Sequence, residues 1–354
     1  MIVRDKTLIL HQWDNSKGFA SSKNLIAEIK TRKYTDVIVA SHQEYEVSWN
    51  SIMGFDPRYL EKVLVAYNVQ LTIIYGSLDA CMPPRHDPVL NTTIIYLPLF
   101  FLYDVGHVAP EGKFLVTDDI PDYPKDKFAL SYNNKPHRHR CMTMDILAEL
   151  NMLDDIYFSW NELSNESSGY TFQNWNEEIT NLSDSYKDNL DSDTSPPQEQ
   201  WKAAFDIITE SQDFGYFYTE KTWNAIARGR PFIIIGKPGM NKIIEEFGFK
   251  SYIDDFKLKY LEYDWTERAT WDRNFPYDNY LRDIFTQVKS VIEDTTPEEL
   301  YKTFEHKIEH NRRRLKEIAD EWKYIPPALF TLIERTGVTF KDLKLFPLDK
   351  LDVK

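Results

Sequence analysis

A dense group of basic side chains in this acidic sequence lies between Lys135 and Arg140. Within the segment SYNNKPHRHR, five of the last six positions are Lys, His or Arg, whereas the whole chain has 42 Lys and Arg against 56 Asp and Glu, a net charge of −14. A local excess of positive charge in such a protein predicts an anionic ligand. Arg140 can hold a phosphate through two parallel hydrogen bonds. The alternative is a surface turn neutralised by neighbouring acids.

A second stretch with the residues for phosphate chemistry begins at Ile207 and reads IITESQDFGYFYTEKTWNAIARGRPFIIIGKPG. A buried-strand pattern ends at Glu210, and Thr219 is placed to cap a helix whose first turn contains Glu220 and Lys221. A helix N-terminus offers free N–H groups and a positive dipole end, so it suits a phosphate. The two glutamates can bind hydroxyls of a ribose or a sugar. The alternative is an ordinary solvated first turn.

This stretch resembles the donor-binding motif of the α1,3-fucosyltransferase family, in which a strand ending F-E-N-S precedes D-Y-x-T-E-K, N-A-L and a V-P-V-V-x-G strand. The matching residues are Glu210, Ser211, Tyr218, Thr219, Glu220, Lys221, Asn224, Ala225, Gly229 and Gly236. The chain departs from the motif in lacking an Asn before Ser211, in Phe217 where the family has Asp, and in the strand beginning at Pro231. SYNNKPHRHR is similar to the family's S-N-x(5)-R segment, and the two motifs span about a third of the chain.

The resemblance implies a nucleoside-diphosphate sugar as co-substrate, with a GDP-linked donor favoured over a UDP-linked one. It implies that Arg140 contacts the donor diphosphate. The predicted donor-binding residues are Asn134, Arg138, Arg140, Glu210, Tyr218, Thr219, Glu220, Lys221 and Asn224.

Glycosyl transfer also requires a base that removes the acceptor proton and a cleft that excludes water. We expect a carboxylate from the first domain and name Asp14 and Glu44 as catalytic candidates, because both follow predicted strands; Asp79 and Asp104 are next. Fixed cations can replace a metal at the diphosphate, so no obligatory divalent ion or other cofactor is predicted. The D-x-D sequence at residues 191–193 lies in a polar, aperiodic segment and is interpreted as a solvated loop.

Apolar runs alternate with helical patterns along the chain, which is typical of parallel sheets covered by helices. The predicted strands are 7–11, 36–40, 70–75, 93–97, a strand from 127, 204–209 and 231–236. The predicted helices are 24–33, 58–68, 141–150, 219–227, 240–247 and one opening at Pro297. The polar segment 161–200 is predicted to be an insertion or mobile loop.

These elements predict an α/β protein with two Rossmann-like domains facing a cleft (GT-B type) and a C-terminal helical tail. The predicted domains are an acceptor-side domain, 1–126; a donor-binding domain, 127–290; and a helical segment, 291–354, packing on both. No run approaches 18 apolar residues and no signal-peptide core is recognisable, so we expect a cytoplasmic protein without membrane insertion. Cys81 and Cys141 are expected to be free thiols.

The sequence therefore predicts a metal-independent, nucleotide-sugar-dependent glycosyltransferase acting on a hydroxyl acceptor such as a glycan. One alternative is a viral-type DNA glycosyltransferase that modifies hydroxymethylated bases, although the net charge of −14 opposes a DNA partner. A second alternative is a protein that binds a nucleotide sugar or another ligand without catalysis.

Overall fold

The computed structural model describes residues 2–11, 22–31, 33–41, 57–75, 78–79, 86–87, 91–96, 120–133, 136–160, 170–175, 198–210, 215–216, 218–258, 277–321 and 327–343. The strands are β1 (Ile2–Arg4), β2 (Thr7–His11), β3 (Asp36–Ser41), β4 (Gln70–Tyr75), β5 (Leu78–Asp79), β6 (His86–Asp87), β7 (Thr92–Tyr96), β8 (Lys127–Asn133), β9 (Ile156–Trp160), β10 (Ala203–Thr209), β11 (Gly215–Tyr216) and β12 (Phe232–Ile235). The helices are α1 (Ser22–Lys30), α2 (Pro57–Tyr67), α3 (Arg138–Glu149), α4 (Gln198–Lys202), α5 (Glu220–Ala227), α6 (Met240–Ile243), α7 (Tyr277–Ile292), α8 (Pro297–Glu321) and α9 (Pro327–Thr336). None of these helices is long and apolar enough to cross a membrane.

The chain divides into two compact units. The first comprises Met1–Pro110, Gly215–Tyr218 and Trp322–Lys354, and the second comprises Glu111–Phe214 and Thr219–Glu321. The polypeptide therefore enters the first unit a second time between β10 and α5, where β11 pairs antiparallel with β5.

The first unit is built on a six-stranded sheet in the order β1-β2-β3-β4-β7-β6. Strands β2, β3, β4 and β7 are parallel, and the edge strands β1 and β6 pair antiparallel to them. Leu8 and Val37 pack in one cluster with Ile26 of α1 and Val63 of α2, while Ile9 on the opposite face of β2 is also buried. Burial of both faces explains why these strands read as nearly continuous apolar runs.

The parallel α/β pattern predicted for this unit is confirmed with small shifts at the boundaries. Strands 7–11 and 70–75 have the predicted bounds, β3 is one residue longer, and β7 lies one residue earlier. Helices α1 and α2 begin at Ser22 and Pro57, one to two residues before their predicted starts, and both end earlier than predicted.

Helix α9 belongs to the first unit, although α8 before it belongs to the second. Arg335 of α9 forms an ion pair with Asp36 of β3 at 2.7 Å. After α9, Asp342 accepts two hydrogen bonds from the Arg4 guanidinium, at 2.9 and 2.7 Å. The predicted helical tail is therefore divided between the units, and the assignment of domains 1–126, 127–290 and 291–354 stays a prediction.

The second unit contains a four-stranded parallel sheet in the order β12-β10-β8-β9. The chain leaves β8, passes through α3 and adds β9 on one side; it then returns to add β10 and β12 on the other side. The strand order thus reverses direction between β8 and β10. Strand β9, which alternates buried and half-buried residues, was not predicted from the sequence.

Strands β10 and β12 are buried at every residue, including the charged Asp206. Asp206 Oδ1 accepts hydrogen bonds from Arg230 Nε at 3.1 Å and Nη2 at 3.0 Å, and Gln200 Nε2 donates to Oδ2 at 3.3 Å. Both side chains of the ion pair are almost fully enclosed, with 1% and 8% exposure. Two guanidinium donors on Oδ1 and one amide donor on Oδ2 offset the cost of burying this carboxylate in an apolar sheet.

The outer edge of β12 is covered by one side-chain amide. Asn241 Oδ1 accepts from the Ile234 N–H at 2.8 Å, and Asn241 Nδ2 donates to the Ile234 carbonyl at 2.7 Å. Both outward-facing backbone groups of Ile234 are therefore satisfied, as a neighbouring strand would satisfy them.

Helix α8 begins with a capping box. The Glu299 N–H donates to Thr296 Oγ1 at 3.3 Å, and the Thr296 N–H donates to a Glu299 carboxylate oxygen at 3.1 Å, while Pro297 occupies the first helical position. Leu300, Phe304 and Ile308 are buried along the helix, as the helical spacing predicted.

Part of the predicted insertion or mobile loop, 161–200, is fixed on α3. The buried Asp145 carboxylate accepts from three successive backbone N–H groups, those of residues 173–175, at 2.6–3.1 Å, and from the Tyr170 hydroxyl at 3.0 Å. Trp175 packs edge-to-face against Trp160 at the end of β9. Trp175 is therefore part of the second unit's core, and residues 170–175, which have no regular secondary structure, are anchored to α3 by the Asp145 carboxylate.

We predict that Arg230→Met lowers the free energy of unfolding by about 3–5 kcal/mol, because it leaves Asp206 buried without its cation. Urea denaturation at neutral pH measures the loss. Arg282→Met is the matched control, since Arg282 pairs with Glu149 and Asp278 on the exposed surface and such pairs contribute at most about 1 kcal/mol. Equal losses in both variants would contradict the prediction.

Candidate functional site

The polar side chains of the second unit meet at the carboxyl ends of β8 and β10. In open α/β sheets, ligands bind at this edge, in the crevice where the strand order reverses. Strand β8 ends at Asn133 and β10 at Thr209, and Thr209 Oγ1 donates to Asn133 Oδ1 at 2.8 Å. Helix α3 follows β8 closely, and the α5 N-cap hydrogen-bonds to Glu210 directly after β10. The reversal point therefore brings together the starts of two helices.

Two basic residues in the first turn of α3 are buried. His137 is the N-cap residue and Arg138 is exposed, whereas His139 and Arg140 are buried. Arg140 Nη2 donates to the carbonyl oxygens of Thr209 and Glu210, each at 3.2 Å. The guanidinium, although only 3% of the residue is exposed, is therefore fixed at the end of β10.

His139 is neutral in the folded protein. Its Nε2 lies 2.7 Å from the Glu210 carbonyl oxygen, which can only accept, so Nε2 carries the proton. Burial, together with the positive charges of Arg140 and Lys221, lowers the pKa of His139 to about 3. His139 and Arg140 bind the Glu210 carbonyl, and Lys221 binds the Thr219 hydroxyl that donates to the Glu210 carboxylate, so all three basic residues lie around Glu210.

The start of α5 is fixed by the cap that the sequence predicts. Thr219 has an extended backbone and its Oγ1 accepts from the Lys221 N–H at 3.4 Å. The Lys221 ammonium also donates to Thr219 Oγ1, at 3.3 Å. The cation of the first helical turn thus lies over the helix N-terminus.

Glu210 joins the two helices. Its backbone carbonyl oxygen accepts hydrogen bonds from His139 and Arg140 of α3. Its carboxylate accepts hydrogen bonds from the Thr219 N–H, at 3.1 Å, and from the hydroxyls of Thr219 and Thr222. No part of the residue is exposed. The carboxylate is therefore directed into the first turn of α5, and Arg140 and Lys221 supply the positive charge of the site.

The structure brings together Arg140, Glu210, Thr219 and Lys221 of the predicted donor-binding residues. Tyr218 is buried beside the cap, Arg138 is exposed on α3 and Asn224 lies half-buried on α5. Glu220 occupies the first position of α5. Asn134 and the catalytic candidates Asp14 and Glu44 lie outside the described residues, as do the D-x-D sequence and Asp104.

Sequence reasoning missed two polar residues at this edge of the sheet. Asn133 ties the two strand ends together, and Thr222 binds the Glu210 carboxylate. Each is a polar residue at the end of a buried strand or in the first turn of a helix, and that position was the available signal.

Within the described residues, no three His, Cys, Asp or Glu side chains group in a way that could hold a metal ion. Cys141 of α3 is a buried free thiol. Metal independence stays a prediction.

No family model matches the sequence, and no curated protein matches it. Among solved structures, the chain is similar to an α1,3-fucosyltransferase: the alignment covers 85% of this chain and 95% of that chain, with 13% sequence identity and a TM-score of 0.31. At this score, the function has to be argued from the chain's own residues.

We predict that His139→Gln reduces the fall in the free energy of unfolding as the pH is lowered below about 6.5. Between its ordinary value of 6.5 and about 3, the unfolded chain binds a proton at His139 that the folded protein does not, so the free energy of unfolding falls as the pH falls, by up to about 1.4 kcal/mol per unit. Gln keeps an N–H donor for the Glu210 carbonyl and removes the titration.

Denaturant unfolding from pH 6.5 to 4.5 measures this slope. The exposed His306 of α8 provides the control variant, His306→Gln. Parallel slopes for the wild type and His139→Gln would contradict a neutral buried His139.

Proposed function

We propose that the protein is a glycosyltransferase that moves a sugar from a nucleoside-diphosphate sugar to a hydroxyl acceptor. The observation that carries the proposal is the convergence of Arg140 and Lys221 near a neutral histidine, at the reversal point of a parallel sheet. An acidic protein that fixes two cations at this edge is suited to a small anion.

The diphosphate is the part of the donor that such a site stabilises. When the sugar leaves, negative charge develops on the diphosphate oxygen, and fixed donors aimed at that charge lower the barrier. The Arg140 guanidinium is fixed by two carbonyl oxygens through Nη2, and its fork geometry suits a phosphate. Lys221 and the remaining N–H groups at the start of α5 complete the proposed clamp.

The clamp needs no metal in this proposal, because the two fixed cations neutralise the leaving group. The motif resemblance supports a GDP-linked donor first and a UDP-linked donor second. Further donor contacts are proposed for Asn134, Arg138, Tyr218, Glu220 and Asn224, which match the motif or adjoin the clamp.

The acceptor hydroxyl loses its proton to a carboxylate as its oxygen bonds to the anomeric carbon, and the bond from that carbon to the diphosphate oxygen breaks. Asp14 and Glu44 of the first domain are the proposed bases. A GT-B arrangement, with a cleft that excludes water from the oxocarbenium-like centre, is part of the proposal.

A protein that binds the donor without transferring the sugar is distinguished by hydrolysis. A glycosyltransferase releases the nucleoside diphosphate slowly from its donor even without an acceptor, whereas a binding protein releases none. DNA as acceptor gains no support from the described part of the chain and is left out of the proposal.

We predict that GDP binds the wild type measurably and binds Lys221→Ala and Arg140→Ala at least 10-fold more weakly. A hydrogen bond to a charged group contributes about 1.5–3 kcal/mol, so loss of either cation corresponds to about a 10- to 150-fold higher Kd. Isothermal titration calorimetry with GDP and with UDP measures this.

Lys242→Ala is the control, because Lys242 is an exposed lysine of α6 that pairs with Glu245. Arg140→Lys is measured beside Arg140→Ala, because the lysine side chain fills the buried site that alanine would leave empty. Unchanged affinity in both the Arg140 and the Lys221 variants would refute the site assignment.

We also predict that one class of nucleotide sugar raises the thermal stability of the protein. A ligand at 100 times its Kd adds about 2.7 kcal/mol to the free energy of unfolding. A thermal-shift panel of GDP-, UDP-, ADP- and CMP-linked sugars identifies the class, and a uniform absence of shifts at millimolar ligand contradicts the proposed function.

A further inference from the structure

We propose that Thr222, acting through the Glu210 carboxylate, is a positioning residue that holds the α5 cap and the Lys221 ammonium in place for the anionic ligand. The inference rests on the proposed function, since the ligand is the diphosphate of the donor. It gives Glu210 a positioning role in place of the direct donor contact that the motif resemblance implies.

An unbroken chain of hydrogen bonds links Thr222 to Lys221. The Thr222 hydroxyl donates to Glu210 Oε1, and Glu210 Oε2 accepts the proton of the Thr219 hydroxyl. Thr219 Oγ1 then accepts from both the N–H and the ammonium of Lys221, at 3.4 and 3.3 Å. Because each hydroxyl has one proton to donate, the carboxylate fixes the direction in which Thr219 presents its lone pairs.

The carboxylate is enclosed by the groups that it binds. Glu210 is fully buried, and its two side-chain oxygens receive two hydroxyls and one backbone N–H. A sugar hydroxyl would have to displace one of these donors to reach it. A buried carboxylate that loses a donor is strongly penalised, so the arrangement favours an anchor over a ligand contact.

Thr222 is the member of the chain best suited to a test. It lies at the third position of α5, where a capping box normally has Glu or Gln, and here the carboxylate comes instead from the end of β10. Its side chain is completely buried, so Thr222 itself cannot touch a ligand. Thr222→Val nearly keeps the shape and replaces the hydroxyl, with its donated proton, by a methyl group.

The experiment compares Thr222→Val with Thr222→Ser and Thr143→Val. Thr222→Ser restores the hydroxyl. Thr143 of α3 is equally buried, and its hydroxyl has no hydrogen-bond partner in the described part of the chain, so Thr143→Val makes the same chemical change outside the network. GDP affinity by calorimetry and amide hydrogen exchange at Lys221 are measured for each variant.

We expect Thr222→Val to weaken GDP binding about 3- to 10-fold, the effect of one lost hydrogen bond, and to speed exchange of the Lys221 amide by a similar factor. Thr222→Ser and Thr143→Val should remain within about twofold of the wild type. In a Lys221→Ala background, Thr222→Val should weaken GDP binding less than it does in the wild type, because both changes act on the contact made by the Lys221 ammonium.

Wild-type GDP affinity in Thr222→Val, equal weakening in Thr143→Val, failure of Thr222→Ser to restore binding, or full additivity with Lys221→Ala would each overturn the positioning role and leave the proposed function standing. A wild type that binds neither GDP nor UDP would overturn the proposed function and this inference together.

Discussion

A carboxylate without access to water must be surrounded by donors, and the second unit is organised around one such group. Glu210 follows β10 directly, and residues near the starts of α3 and α5 donate hydrogen bonds to its carbonyl and carboxylate oxygens. Because its backbone oxygen binds one helix and its side chain the other, the two helices cannot shift independently without breaking hydrogen bonds to this buried residue. The carboxylate fixes Lys221 through Thr219, and the backbone carbonyl of the same residue helps to fix Arg140.

The charge pattern of the site follows from the same constraint. The negative charge of Glu210 is placed inside the first turn of α5, so part of the positive helix end is neutralised within the protein. The cationic side chains Arg140 and Lys221 then supply the charge directed toward a ligand. His139 contributes a hydrogen bond without a charge, because burial and the neighbouring cations keep it neutral.

Local patterns predicted the elements of the chain better than they predicted the contacts between them. The strand that ends before Glu210 and the Thr219 cap follow from short-range sequence rules, and both are observed. The burial of Arg140 could not be predicted, because it depends on carbonyl oxygens about 70 positions away. The anchoring of residues 170–175 was missed for the same reason, since their polar composition resembles a loop until Asp145 is placed beside them.

The edge strand β12 of the second sheet affects the tendency of this chain to aggregate in concentrated solution. An uncovered edge strand with the sequence FIII would be a template on which another chain could add a strand and begin aggregation. Asn241 fills the hydrogen-bonding positions of Ile234 in the middle of that strand. One amide side chain thus occupies the backbone groups through which another chain would pair with the middle of this wholly apolar strand.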